Sequence, residues 1–331
     1  MTAALASLSP FGPAGRPPLT EGEGGWLERV EVVTPAMCGH NSLFIGQLGD
    51  WTWDAVGASC RADPYTAVGP DGNPAYLSFS YFRVKASSGL CAEQLTFGDR
   101  LRIRSKVLSC GGDSVLTLHL VRRDKEIPAH GAARRAVRGV EEFFRYDTPE
   151  GIHVENFNRW IQRSGPDTNH GLRRAAPAGF EVHHLDRIAA EYTPRRVCAQ
   201  ARKMAGFRTE GEPAPQARLE LSYRVDASRD LNGAGLLYFA SYFSIVDWAL
   251  LRLWHSLGRP PRRFLRRLVL DRQLCFVANA DADDVLDVQV TAYHDDDDID
   301  VVDTTLRHQD GSLLAVARQR IRDMPDGEVG P

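Results

Sequence analysis

Two helix-length apolar segments, each reached through a glycine-bearing turn and each followed by strands of alternating polarity, predict an α+β fold. In that fold a curled antiparallel sheet wraps a central helix, and the order of elements occurs twice. The first helical segment lies between His40 and Cys60, the second between Gly233 and Leu257. The two halves share a layout rather than residues.

Trp26 to Thr34 alternates between polar and apolar and reads as a first strand, stopped by Pro35. Ser42 suits an N-cap, and Phe44, Leu48, Trp51 and Ala55 then fall on one helical stripe. Gly46 and Gly49 weaken an isolated helix, so they are expected where a sheet packs closely against it. Pro64, Gly69, Pro70, Asp71 and Gly72 make a turn-rich loop before a strand over 75–86. Strands over 99–108 and 114–122 follow as a hairpin around Gly111 and Gly112. The Arg- and Ala-rich stretch 125–138 is expected at the surface.

Residues 141–177 hold scattered Gly and Pro with weak periodicity and read as a connector. The second half is expected to begin with strand-like segments at 180–190 and 218–225, then a tight turn, Asp230-Leu-Asn-Gly-Ala-Gly235, and the second helix. Four strands close it, at 268–278, 284–294, 300–308 and 312–322. Leu286, Val288, Val290 and Ala292 alternate there with Asp287, Gln289 and Thr291, the pattern of a half-buried antiparallel strand. The expected organisation is a disordered leader over 1–25, a first domain over 26–140, the connector over 141–177 and a second domain over 178–325.

Composition narrows the function classes. With 331 residues and 43% hydrophobic content the chain can bury a full core. Forty Lys and Arg against 43 Asp and Glu leave no global basic field, which argues against nucleic acid as a partner. Charge is segregated locally, with acids at Asp295–Asp298 and Asp300 and bases at Arg259, Arg262, Arg263, Arg266 and Arg267. The six cysteines show neither CxxC nor zinc-ligand spacing, so reduced thiols, no metal and a cytoplasmic location are expected. The start lacks the basic and apolar regions of a signal peptide. Ser241, Ser244, Asp247, Arg252 and His255 interrupt the longest apolar run, which fits a buried helix and no membrane span. No GxGxxG, Walker-type loop or GxSxG is present.

The motif MCGHNSLFIGQLGDWTWDAV, followed by DPY and AYLSFSYFRV, together with DLNGAGLLYFASYFSIVDW in the second half, resembles the LnmK-type acyltransferase/decarboxylases of leinamycin-type polyketide pathways. The resemblance covers nearly the whole chain beyond the leader. It implies a double hot dog fold and a bifunctional reaction. Methylmalonyl-CoA would acylate a tyrosine, lose carbon dioxide and pass a propionyl group to an acyl carrier protein. No cofactor is implied beyond the coenzyme A thioester itself. The tyrosine of the DPY motif is Tyr65.

The residues themselves suggest further roles, each beside a plainer one. A phenol, with an ordinary pKa of about 10, needs a base or a cation to become a nucleophile; otherwise Tyr65 simply packs. His40 and Asn41 precede the first helix, where they would activate Tyr65 or steady an enolate, or merely brace the helix start. Asp50 is a charged residue in an apolar helix, orienting a catalytic partner or serving as a hydrogen-bonded structural acid. Trp51 and Trp53 are expected in the core. Alternation places Ser78 and Ser80 on one face, lining an acyl cavity or packing in the sheet. Asn232, at the second helix start, would contribute from across the interface, with the working site placed at the first. Arg262, Arg263 and Arg266 suit the phosphates of coenzyme A or an acidic carrier-protein helix, or form a solvated face. A thioesterase or dehydratase acting on acyl thioesters, and a non-catalytic carrier-protein-binding module, are the alternatives. Pairing of two chains through their sheets is left open.

Overall fold

The computed structural model describes residues 17–323 apart from 39–42, 88, 125–136, 138, 166–167, 209–210, 213 and 295–298. Along the chain lie β1 (Thr20–Glu21), β2 (Leu27–Val32), α1 (Leu43–Cys60), β3 (Tyr76–Ala86), β4 (Arg100–Ser109), β5 (Ser114–Arg123), α2 (Val140–Phe143) and β6 (Gly151–Gln162). They are followed by β7 (Arg173–Arg174), α3 (Pro194–Met204), β8 (Ala217–Arg224), α4 (Phe239–Ser256) and α5 (Pro261–Arg266). Strands β9 (Leu268–Phe276), β10 (Val285–His294), β11 (Ile299–His308) and β12 (Leu313–Arg322) complete it. All the strands join one antiparallel sheet in the order β1-β2-β4-β5-β6-β3-β9-β12-β11-β10-β8, with β7 beside β6.

The double wrapped-helix layout is therefore present, with β3 paired to β9 as the seam between halves. Phe44, Leu48 and Trp51 of α1 and Phe243, Val246 and Leu250 of α4 share one buried cluster on the inner face of the sheet. The outer face at the seam is covered by α3, whose Cys198 and Ala201 pack with Tyr81, Phe157, Cys275 and Val316. Gly46 and Gly49 do permit close approach, though to the start of α4 rather than to the sheet. A Cβ at Gly49 would lie 2.1 Å from Phe239 Cζ, and one at Gly46 would lie 3.2 Å from the Tyr238 hydroxyl.

Three sequence expectations are corrected. The stretch read as a connector carries β6, a twelve-residue strand between β3 and β5. It is covered on both faces, so its burial does not alternate, and Glu155, Asn156 and Asn158 are buried within it. Residues 180–190 do not form a strand. They run as a covering loop tied to the domain by Glu181 N–H to Cys60 O, Asp186 O from Ser109 N–H and Ile188 N–H to Ser109 O. Phe180 meets the Trp160 ring edge to face at 5.5 Å, so its apolar residues are used in packing without a ladder. Part of the leader is ordered as well, since β1 pairs with β2 and Thr20 Oγ1 donates to Glu28 O at 3.2 Å. The stretches 125–136 and 295–298 lie outside the described residues. Among the described residues, no helix is long and apolar enough to cross a membrane. All six cysteines are free.

Candidate active site

The site begins with a break in strand pairing. From Tyr81 to Lys85, β3 pairs with both β6 and β9; from Tyr76 to Phe79 it pairs only with β6. Ser80 is the extra residue between Phe79 and Tyr81, a β-bulge at the point where the two halves part. A cavity of about 830 Å³ fills the opening, lined by residues 74–80 on one side and 276–279 on the other. Gly49, Asp50 and Trp53 of α1 and the turn from Asn232 into α4 border it from the inner face.

Tyr65 stands at this cavity on the loop after α1. Asp63 shapes that loop by accepting from Tyr65 N–H at 3.0 Å and from Thr66 Oγ1 at 2.7 Å. The Tyr65 hydroxyl donates to Asp54 Oδ1 at 2.8 Å, and its ring meets Trp53 edge to face at 5.5 Å. Trp53 is accordingly a wall of the site rather than full core, with Nε1 donating to Leu77 O at 3.1 Å. Asp54 is buried on α1, and Arg29 of β2 donates to its Oδ2 at 2.8 Å. The result is a line of phenol, carboxylate and guanidinium running from the cavity wall into the core. It gives the phenol an acceptor for its proton and gives the buried carboxylate a counter-charge.

Of the residues singled out from sequence, Tyr65, Asp50, Ser78, Ser80 and Asn232 all border the cavity. Ser78 Oγ donates to Arg159 O at 3.0 Å. The bulge breaks the simple alternation that placed the two serines on one face, yet both line the opening. Asn232 Oδ1 accepts from Ala234 N–H at 3.0 Å and Leu236 N–H at 3.1 Å, so its side chain is engaged in shaping the turn. His40 and Asn41 lie outside the described residues. The start of α1 at Leu43 is about 16 Å along the helix axis from Asp54, at 1.5 Å per residue, so Tyr65 is held by the middle of that helix and not by its start. Among the described residues, the entry to the second helix, Leu236 to Phe239, lines the cavity. Arg262, Arg263 and Arg266 do not border it; Arg263 pairs with Asp323 at 2.7 Å.

Two features were missed in the sequence. Asp54 lies one turn beyond Asp50 on the same helix, and a second acid in an apolar segment is the signal the sequence carries for it. Arg159, Arg174 and Arg202 also line the cavity, and no sequence pattern marked them. Tyr242 lines it too; burial pushes its phenol above the ordinary value, and it donates to Ala278 O at 2.8 Å, a structural role. Ligand atoms of His170, Asp284 and His308 lie within 4.8 Å of one another, but Asp284 Oδ2 is already shared by His170 Nε2 at 3.0 Å and Asp281 N–H at 2.9 Å.

Residues 28–209 match the family model described as the LnmK N-terminal hot dog fold domain. No curated protein matches the chain. Among solved structures, a putative oleoyl thioesterase from Lactobacillus plantarum is similar at 9% identity, covering 92% of this chain and 98% of that one with a TM-score of 0.55. An acyl-ACP thioesterase from Bacteroides thetaiotaomicron aligns at 9% identity over 90% of this chain and 98% of its own, with a TM-score of 0.53. The 12:0-ACP thioesterase from Umbellularia californica aligns at 11% identity over the same shares, also at 0.53. At these identities the likeness is one of fold, a double hot dog within one chain.

Proposed function

The chain belongs to the LnmK N-terminal hot dog fold family, and from that membership and the Tyr65–Asp54 contact we propose an acyltransferase/decarboxylase acting on acyl thioesters. The substrate is methylmalonyl-CoA and the acceptor an acyl carrier protein, in polyketide biosynthesis. The observation that carries the reading is the 2.8 Å hydrogen bond from the Tyr65 hydroxyl, at the wall of a cavity large enough for an acyl thioester, to a carboxylate backed by Arg29.

In this reading the Tyr65 oxygen attacks the thioester carbonyl as its proton passes to Asp54. The tetrahedral adduct collapses to an acyl-tyrosine ester and expels the coenzyme A thiolate, which takes up a proton. Loss of carbon dioxide from the methylmalonyl group leaves an enolate that is protonated to propionyl. A carrier-protein thiol then gives up its proton to solvent and attacks the ester, forming the propionyl thioester, and the departing phenolate recovers its proton from Asp54. No side chain caps α4 at Tyr238, so the first-turn amides and positive dipole end beside the cavity are placed to steady an oxyanion or enolate.

The test is intact-mass analysis after incubation with methylmalonyl-CoA, with and without a carrier protein. The expected results are a propionyl adduct on the wild-type chain, none on Tyr65→Phe, and propionyl-carrier protein as product. An undiminished adduct on Tyr65→Phe overturns the tyrosine assignment. Free acid as the sole product would make the protein a thioesterase, with Asp54 activating water instead.

A further inference from the structure

We propose that Arg159, Arg174 and Arg202 form the phosphate-binding mouth of the cavity, holding the phosphate that ends the pantetheine arm of a thioester substrate. This rests on the thioester reading and replaces the α5 arginines as the anchor expected from sequence.

The three side chains line the cavity and come from three elements: β6, β7 and α3. None has an acidic partner among the described residues. Arg202 donates to Phe276 O at 3.3 Å, and Arg159 sits over the Phe157 ring at 4.8 Å. The more buried arginines face acids: Arg29 faces Asp54, Arg83 faces Asp271, Arg272 faces Asp247 and Arg318 faces Asp303. Asp50 is the one carboxylate among the described lining residues, and it belongs to the inner helix. Arg159 is half-buried, while Arg174 and Arg202 are exposed, so the cluster runs from the cavity wall out to solvent, where a ligand's phosphate can reach all three. Burial, and then the charges of Arg174, Arg195 and Arg202, lower the pKa of Arg159 from its ordinary value.

Position decides which anion is meant. Arg159 shares the outer face of β6 with Phe157, which belongs to the cluster under α3. Tyr65 is held from the inner side, by α1. A substrate carboxylate must stay within a bond or two of the thioester carbonyl, and so belongs with Tyr65. A phosphate lies at the far end of an arm of two amide units, long enough to pass the roughly 10 Å that separates packed layers. The gap between residues 76–80 and 276–279 is the passage for that arm.

Calorimetric titration of the full chain tests this, using propionyl-CoA, propionyl-4′-phosphopantetheine and propionyl-pantetheine as probes. On wild type, removing the phosphate from the ligand should weaken binding about tenfold or more. The triple variant Arg159→Gln, Arg174→Gln, Arg202→Gln should lose the same factor for the phosphorylated probes and nothing for propionyl-pantetheine, with an unchanged melting temperature as the folding control. Equal losses for both phosphorylated probes uphold the site and assign the phosphate shared by coenzyme A and a carrier. A loss confined to propionyl-CoA overturns it, because the arginines would then hold the nucleotide end and not the phosphate that ends the pantetheine arm. Wild type that binds all three probes alike overturns the inference while the thioester reading stands. Wild type that binds none of them removes the thioester reading itself.

Discussion

Phe239 packs so closely over Gly49 that a Cβ at that position would lie 2.1 Å from Cζ of the ring. The ring has little freedom to withdraw, because Phe79 lies at 4.2 Å and Phe82 is stacked on it at 5.8 Å. This contact joins the first helix to the start of the second and forms part of the cavity wall. Gly49→Ala should gain up to about 1 kcal/mol in helix propensity and lose about 1–3 kcal/mol to overpacking, a net destabilisation. Gly46→Ala, which meets only the tip of Tyr238 at 3.2 Å, should be neutral or stabilising. Thermal unfolding of the two variants checks the contrast, and equal melting temperatures would deny the ring its role.

A second prediction concerns the Tyr65–Asp54 pair. Asp54→Asn keeps the shape of the helix but removes the proton acceptor 2.8 Å from the phenol, so kcat/KM should fall by about 10²–10⁴-fold at neutral pH. The variant's rate should then climb with pH more steeply than that of wild type, as solvent hydroxide takes over deprotonation. A pH–rate profile of the variant parallel to wild type, merely lowered, would assign Asp54 a structural role.

The legible and illegible parts of the sequence differ in how many neighbours set them. In β10, Leu286, Val288 and Val290 face one layer and Asp287 is exposed, so one-sided burial leaves a period of two. In β6 both faces are covered, and polar residues are buried in it, Asn156 Nδ2 donating to Thr52 Oγ1 of α1 and Glu155 accepting from the Tyr146 hydroxyl, so the period vanishes. The stripe of Phe44, Leu48, Trp51 and Ala55 was readable because a helix buries one side against one core. The site divides the same way. Tyr65 was found through a motif, whereas Asp54 acquires its role only when β2 brings Arg29 to it across 25 residues of sequence. The arginine mouth depends on three elements, two of which the sequence did not reveal as strands.

A third prediction tests the buried charge cluster beneath α4. Asp247 accepts from Arg267 Nη2 at 3.0 Å, Arg272 Nη2 at 2.8 Å and Gln319 Nε2 at 3.1 Å, and all four residues are buried. Asp247→Ala leaves two guanidinium groups facing each other without the intervening carboxylate. It should destabilise the fold by about 3–5 kcal/mol in urea titrations, with Asp247→Asn losing less because one acceptor survives. A loss below about 1 kcal/mol for the alanine variant would mean that the arginines find other partners.

The last prediction follows from a histidine that cannot take a second proton without breaking its bonds. His119 is fully buried, with Nε2 at 2.8 Å from Thr52 Oγ1 and Nδ1 at 2.8 Å from Ser105 Oγ. Thr52 donates its own hydroxyl proton to Leu48 O, so it accepts from Nε2–H, and Nδ1 is left to accept from Ser105. Protonation at Nδ1 would reverse the Ser105 bond. Burial, and secondarily the charge of Arg29, lower the pKa of His119 to about 3, whereas the unfolded chain titrates at about 6.5. The unfolded state therefore binds the extra proton first. The stability that neutral His119 provides is fully present above about pH 6.5 and is lost progressively as pH falls toward about 3. Between pH 7 and pH 5 the loss from this residue should be about 2 kcal/mol. His153, lowered to about 4 by burial first, adds to the wild-type slope in the same direction. Urea unfolding of wild type and His119→Gln at both pH values isolates the His119 share: the variant's stability should depend on pH less steeply by that amount, and identical slopes would show that His119 is not the group that titrates.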